Sequence, residues 1–128
     1  FSVAPDYAIV LEATTAADII DVPEHRTVCA LKNGPAVSFM DHSTVYPMEL
    51  YDLAMKVAKD NGIKAQPKAA VAGGNDAGSI HKSGKGVKAI TLSVPCRYIH
   101  SQNCVAAVQD MESARALAEK LAAELANA

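Results

Sequence analysis

Two ionisable residues stand where a folded chain can put them to chemical use. Glu12 interrupts Tyr7–Ala13 (YAIVLEA), a run that is otherwise apolar apart from its first tyrosine. A carboxylate there is costly to bury unless it is paired, hydrogen-bonded or bound to a metal. The plain alternative is a strand-end glutamate that reaches solvent. His100 follows a second apolar run, Val87–Val94 (VKAITLSV), in the loop VPCRYIHSQN. Loops at the C-terminal ends of strands are where α/β sheets place functional groups. A neutral imidazole with a carboxylate makes half of a familiar zinc site, although a structural or surface histidine fits that position as well.

Asp76 and His81 share the glycine-rich segment GGNDAGSIH, five residues apart. Glycines ahead of a helix N-terminus suit a phosphate, but neither the GxxxxGK[ST] nor the GxGxxG spacing is present. The segment therefore reads as a glycine-enabled turn, with Asp76 as the cap of a short helix. Cys29, Cys96 and Cys104 form an odd set without CxxC spacing, as expected of free thiols in a reducing cytoplasm; Cys96 beside Arg97 could also be a reactive thiol. No GxSxG elbow and no HExxH pair occurs, and no local pattern joins a cysteine to a histidine as a nucleophile pair.

These residues need elements to hold them. The two apolar runs suit strands covered on both faces and paired on both edges. Thr27–Leu31 and Pro35–Met40 suggest short strands around the turn Lys32–Gly34. From about Met48 to Asp60, Leu50, Leu53, Ala54, Val57 and Ala58 recur at helical spacing between Pro47 and the stop Asn61-Gly62. Lys64–Val71 reads as a strand that Pro67 pushes towards an edge. Met111, Ala114, Leu117, Ala118, Leu121 and Leu125 make one stripe of a final amphipathic helix, with Asp110 at the N-cap position. Helix alternating with strand predicts α/β layers, a sheet with helices on both faces.

The bulk numbers narrow the field. Of 128 residues, 50% are hydrophobic and 20% charged, which is the balance of a packed domain and not of a disordered chain. A formal charge of −2 gives no footprint for nucleic acid or an anionic membrane, and no apolar run approaches the ~20 residues of a bilayer span. The opening FSVAPDYAIVLEA has no initiator Met and no basic segment before its apolar run. It is not a signal peptide, and it reads as a chain entered in mid-domain.

Four segments taken together carry a resemblance. Pro5–Asp18 (PDYAIVLEATTAAD, with PEHR after it), Phe39–Ser43 (FMDHS), Ala72–His81 (AGGNDAGSIH) and Ser93–Ser101 (SVPCRYIHS) stand in the order and rough spacing of motifs in one family. Over nearly its whole length the chain resembles the tetrahedral and glutamyl aminopeptidases, metal-dependent exopeptidases of which some carry an endoglucanase label.

The resemblance implies a zinc-exopeptidase-like fold, incomplete at its N-terminal side, and two divalent ions, zinc or cobalt. It implies that Glu12 stands where the family has a metal-binding carboxylate, commonly Asp, and that His100 in RYIHS is the family's last metal-ligand histidine. Asp76 and His81 fall in a motif expected to shape the site wall or a subunit contact, and Asp18 matches a family position without an assigned role. His42 stands where Arg is frequent, and Cys104 and Ala107 stand where Glu and Asp are frequent. The family's HxD motif, bridging Asp, Glu-Glu pair with the general base, and inserted small β-domain do not occur in residues 1–128, and are expected upstream of Phe1. The implied partners are peptide substrates and either a second copy or the missing upstream half, in the cytoplasm. A reading of a different class is a non-catalytic α/β interaction or assembly module. A carbohydrate hydrolase would want two acids flanking a sugar cleft, and no such pair stands out.

Overall fold

The computed structural model describes residues 3–127. Its elements run β1 (Tyr7–Thr15), β2 (Ala36–Val37), α1 (Met48–Asp60), β3 (Gln66–Pro67), α2 (Ala77–Ile80), β4 (Lys88–Arg97), β5 (Val105–Ala106) and α3 (Val108–Ala126), with a single 3-10 turn at Glu24–Arg26. The strands form one mixed sheet in the order β1-β4-β2-β3, and β5 pairs with β4. β1 and β4 are parallel and in register from Tyr7 opposite Lys88 to Thr15 opposite Cys96, which sets Glu12 opposite Ser93. β2 lies antiparallel to β4 and parallel to β3.

The α/β layering expected from the sequence is present. Five consecutive β4 residues, Ala89–Ser93, are buried, so side chains on both faces of this strand are covered. Helices α1 and α3 pack against each other and against β4, and α2 touches β4 and β1. Leu50, Ala54 and Val57 of α1 and Leu117 and Leu121 of α3 meet Val37, Ile90 and Leu92 of the sheet. Leu117 and Leu121 are fully buried; truncating either to alanine costs about 2–5 kcal/mol. Ala16, Val28, Cys29 and Ala36 make a second, smaller apolar cluster.

β1 pairs only with β4 among the described residues, which leaves one of its edges without a strand partner, and Leu11 is 55% exposed. Several local expectations are corrected. Thr27–Leu31 forms no strand, Pro35–Met40 yields only Ala36–Val37, and Lys64–Val71 yields only Gln66–Pro67. In this region side chains do the work of a ladder. The Gln66 amide donates to the Ala30 and Gly34 carbonyls at 2.8 Å each and accepts from the Ala30 amide at 2.9 Å. Asp110 is not the N-cap of α3, because the helix starts at Val108 and Ala107 takes that position. The fully buried Asp110 carboxylate instead accepts from the Lys32 and Gly34 amides at 2.7 and 2.9 Å, tying the first turn of α3 to the turn before β2. Gly34 is required there: its φ is +79°, and a Cβ would lie 2.1 Å from the Lys64 carbonyl oxygen.

Candidate functional site

Glu12 and His100 line one small cavity of about 150 Å³, together with Thr14, Thr15, Lys68, Ala72, Gly73 and Gly74 among others. The parallel register makes this possible. Glu12 stands near the end of β1 opposite Ser93, and β4 runs on to Arg97 before turning into the loop that holds His100. Both side chains therefore sit at the C-terminal ends of neighbouring strands. Ser93 Oγ donates to Glu12 Oε1 at 3.2 Å. Burial pushes the Glu12 carboxyl up, against the opposing effects of the Ser93 hydrogen bond and the Lys68 charge. The ionised form is thus held in a place that disfavours it.

His100 is exposed and has φ +64°, and Tyr98 has φ +60°. Left-handed backbone at two bulky residues needs a surrounding that holds it. Ser101 Oγ supplies part of that hold by bonding the Tyr98 carbonyl at 2.6 Å and the Asn103 carbonyl at 2.8 Å. Asp18 supplies more at the loop's start. Arg97 Nε and Nη2 donate to the two Asp18 carboxylate oxygens at 2.7 and 3.0 Å, and the Leu31 amide donates to Asp18 Oδ2 at 2.9 Å. The Arg97 hydrogen bonds, outweighing partial burial, hold the Asp18 carboxyl below the usual range. Asp18 thereby clamps the strand end three residues before His100, a structural place that its sequence match left open.

The cavity wall rests on a polar network. The Asp41 carboxylate accepts from the Ser43 amide and hydroxyl, the Thr44 amide, Tyr46 Oη and Asn75 Nδ2, at 2.6–3.0 Å. Burial pushes the Asp41 carboxyl up, but these hydrogen bonds outweigh it and leave it below the ordinary value. Tyr46, which also bonds Thr91 Oγ1 at 2.9 Å, is pushed up to about 12 by burial and by its bond to Asp41. The His42 amide donates to the Gly73 carbonyl at 2.8 Å. A Cβ on Gly74 would come 3.0 Å from Ser43 Oγ, and one on Gly78 only 2.5 Å. Gly74 and Gly78 are therefore small because Ser43 of FMDHS packs directly against them, whereas Gly73 meets nothing within 4 Å and is fixed by its φ of +62°.

Asp76 and His81 do not join this cavity. Asp76 is exposed and makes no capping hydrogen bond; Asn75 Oδ1 takes the Ala77 amide in its place, at 2.8 Å. The His81 ring bonds the Ala77 carbonyl at 2.7 Å and lines a separate cavity of about 910 Å³ with Asp6, Tyr7, Lys85 and Lys88. Tyr7 and Lys88 begin β1 and β4, so that cavity lies at the opposite end of the parallel pair. Cys29 and Cys96 are buried and Cys104 is exposed, all unpaired. Burial pushes the Cys29 thiol up to about 12, which makes it unreactive.

The donor types at the cavity, a carboxylate oxygen and an imidazole nitrogen, are those that bind divalent zinc or cobalt. They are two donors and not a full set: among the described residues no three His, Cys, Asp or Glu side chains converge as a metal-binding group. Lys68, Asp41 and Asn75 were not singled out by sequence pattern. Only the resemblance motifs FMDHS and AGGNDAGSIH bracket the last two. Among the described residues no helix is long and apolar enough to cross a membrane.

The chain is thus a mixed α/β sheet with a carboxylate and an imidazole at neighbouring strand ends, and comparison with known proteins gives the family. A profile of the M42 glutamyl aminopeptidases matches residues 1–117. The chain belongs to the M42 glutamyl aminopeptidase family. A protein of Acetivibrio thermocellus, itself only provisionally assigned as an aminopeptidase, is 34% identical over 114 residues, covering 89% of this chain and 34% of that protein. An aminopeptidase of the archaeon Desulfurococcus kamchatkensis superposes with a TM-score of 0.90 at 28% identity, covering 93% of this chain and 34% of its own. The TET1 peptidase of Pyrococcus horikoshii, which can assemble into a tetrahedron or a large octahedral shell, superposes at 0.74 with 28% identity over 91% of this chain and 33% of its own. The chain thus spans about a third of the length of these relatives.

Proposed function

We propose that this chain is the part of a metal-dependent aminopeptidase catalytic domain that carries Glu12 and His100 as two of the ligands of a two-ion site. The observation that supports it most is the shared cavity of these two residues at adjacent strand ends, in a chain of this family. When bound, two zinc or cobalt ions supply Lewis acidity at the scissile carbonyl and lower the pKa of a bound water. The chain's own residues do the holding. Ser93 fixes one Glu12 oxygen and leaves the other to meet an ion. Asp18 and Arg97 fix the strand end from which His100 is presented, and the Asp41 network fixes the glycine wall opposite. Each of Glu12 and His100 serves a different ion. A bridging carboxylate and a general base come from outside these 128 residues, so the isolated chain binds metal weakly and turns over no substrate.

The substrates are peptides with a free N-terminus, and the natural state of the chain is associated, with further copies or with the remaining part of the domain. The free edge of β1 and the exposed Leu11 support association. Isothermal titration of the chain with zinc tests the ligand assignment. Weak binding is expected, reduced about tenfold or more in Glu12→Gln and in His100→Ala. Equal zinc affinity in both variants and the unaltered chain would refute it.

A further inference from the structure

Cys96 and Cys104 flank the loop that presents His100, each four positions away from it. Both ends of that loop belong to one antiparallel ladder, in which Cys96 of β4 stands opposite Ala106 of β5 and Arg97 opposite Val105. Cys104 lies two residues before Ala106. Its side chain is therefore on the same face of the ladder as that of Cys96, one diagonal step towards the loop. The thiols meet there: burial first, and then the hydrogen bond with Cys104, push the Cys96 thiol up. Both are free thiols, but Cys96 is buried and Cys104 is open to solvent. The two arms of the loop also differ in restraint. The Cys96 carbonyl accepts from the Ala16 amide at 3.0 Å, and the next residue, Arg97, is held by Asp18. Residues 100–105, on the other arm, are all exposed.

We propose that Cys96 and Cys104 form a reversible disulfide that closes the His100 loop into a nine-residue ring. Diagonal Cα atoms in an ordinary ladder are about 7–8 Å apart, whereas a disulfide takes about 4.4–6.8 Å. The gap is on the order of an ångström, and the exposed Cys104 arm is the one free to close it. The oxidant is a small soluble disulfide such as oxidised glutathione. The exposed Cys104 thiolate attacks one of its sulfurs, forms a mixed disulfide and releases one glutathione thiol. The Cys96 thiolate then attacks the Cys104 sulfur and displaces the second glutathione thiol. The chain loses two electrons and two protons, and oxidised glutathione gains both. Cys29 takes no part, because burial pushes its thiol up to about 12. The ring narrows the conformations open to a loop whose Tyr98 and His100 have left-handed backbone. That this holds a metal ligand ready under oxidising conditions rests on the aminopeptidase reading; the bond itself does not.

The test is a titration of the full 128-residue chain with glutathione buffers of rising oxidised fraction at about pH 8, near the thiol pKa, without metal. Remaining thiols are alkylated and the chain is mapped by trypsin and mass spectrometry. Cleavage after Lys88, Arg97 and Arg115 separates the two cysteines, so peptides 89–97 and 98–115 stay joined only through the disulfide. The joined pair is expected within single chains on a non-reducing gel, with Cys29 alkylated, and dithiothreitol is expected to part it. Hydrogen exchange of the amides of residues 99–103 is expected to slow about tenfold on oxidation. Cys104→Ser, at an exposed position, is expected to abolish both effects. Cys104 held only as a mixed disulfide with glutathione, a bond to Cys29 or between two chains, or equal loop exchange in oxidised and reduced chains would each overturn the proposal. If C104S does not fold, the peptide map and loop exchange of the unaltered chain decide. No metal is present, so failure here leaves the ligand assignment of Glu12 and His100 standing, and loss of that assignment leaves the disulfide standing.

Discussion

Asp41→Asn keeps the number of non-hydrogen atoms and nearly the same shape, yet it strikes the centre of the network behind the cavity wall. The carboxylate accepts five hydrogen bonds, from Ser43 (two), Thr44, Tyr46 and Asn75, and Asp41 is only 5% exposed. An asparagine can keep its oxygen towards Ser43 and Thr44. Its amide then stands where the second carboxylate oxygen accepted from Asn75 Nδ2 at 3.0 Å, and donor faces donor. Losing one bond to a clash and the charge assistance on the others costs about 2–4 kcal/mol. Even complete native domains are stable by only about 5–15 kcal/mol, so the loss is large, and the melting point falls by roughly 8–15 °C. The effect has a pH signature. Because the folded Asp41 carboxyl lies below its ordinary value, its contribution is complete above the unfolded pKa of about 3.9 and is lost as pH falls through the folded value. Urea unfolding of both proteins, followed by circular dichroism at pH 7 and pH 3, is therefore expected to show a wide gap at pH 7 that narrows at pH 3. A gap under about 1 kcal/mol at pH 7, or one that does not narrow, would refute the network's role.

Glu12 behaves in the opposite sense. Its folded pKa is raised, chiefly by burial, so ionisation at neutral pH costs stability that is regained only as pH falls towards the unfolded value of about 4.3. Metal-free Glu12→Gln is expected to be more stable than the unaltered chain at pH 7 and indistinguishable from it near pH 3.5, by urea midpoint. Gly78→Ala, whose new methyl would sit 2.5–2.6 Å from Ser43 Oγ and Cβ, is expected to lose about 1–3 kcal/mol in the same assay. With zinc or cobalt added, the isolated chain is expected to release no N-terminal residues from peptides above background, because a missing general base alone removes about 10²–10⁴ in rate; chelator-sensitive release by the pure chain would contradict it.

Long elements with their own punctuation were legible in the sequence. Helix α1 runs Met48–Asp60 between Pro47 and a left-handed Gly62, as the periodic leucines and flanking residues predict. β1 and β4 stand where the apolar runs lie, although β4 continues to Arg97 beyond the proline at which a strand is expected to stop. The segments Thr27–Met40 and Lys64–Val71 were poorly legible because distant side chains satisfy much of their backbone. Gln66 and Asp110 reach residues 30 to 80 positions away, and no local pattern announces that. The same holds at the site. Glu12 and His100 stood out because a charge in an apolar strand and an imidazole just past one are local anomalies. Lys68 did not, since a lysine beside Pro67 at an expected sheet edge looks like a solvated residue. Its burial beside Ala72, Gly73 and Gly74, which line the same cavity, is brought about only by the fold.

The most direct measurement on the central claim is the anomalous scattering of zinc in a crystal of this chain grown with the metal. Zinc is expected at two places in the strand-end cavity, one ion about 2.0–2.2 Å from a Glu12 oxygen and the other about 2.0–2.2 Å from a His100 nitrogen. Zinc bound only elsewhere, at His81 or Cys104 for example, with Glu12 and His100 turned away from a common space, would contradict it.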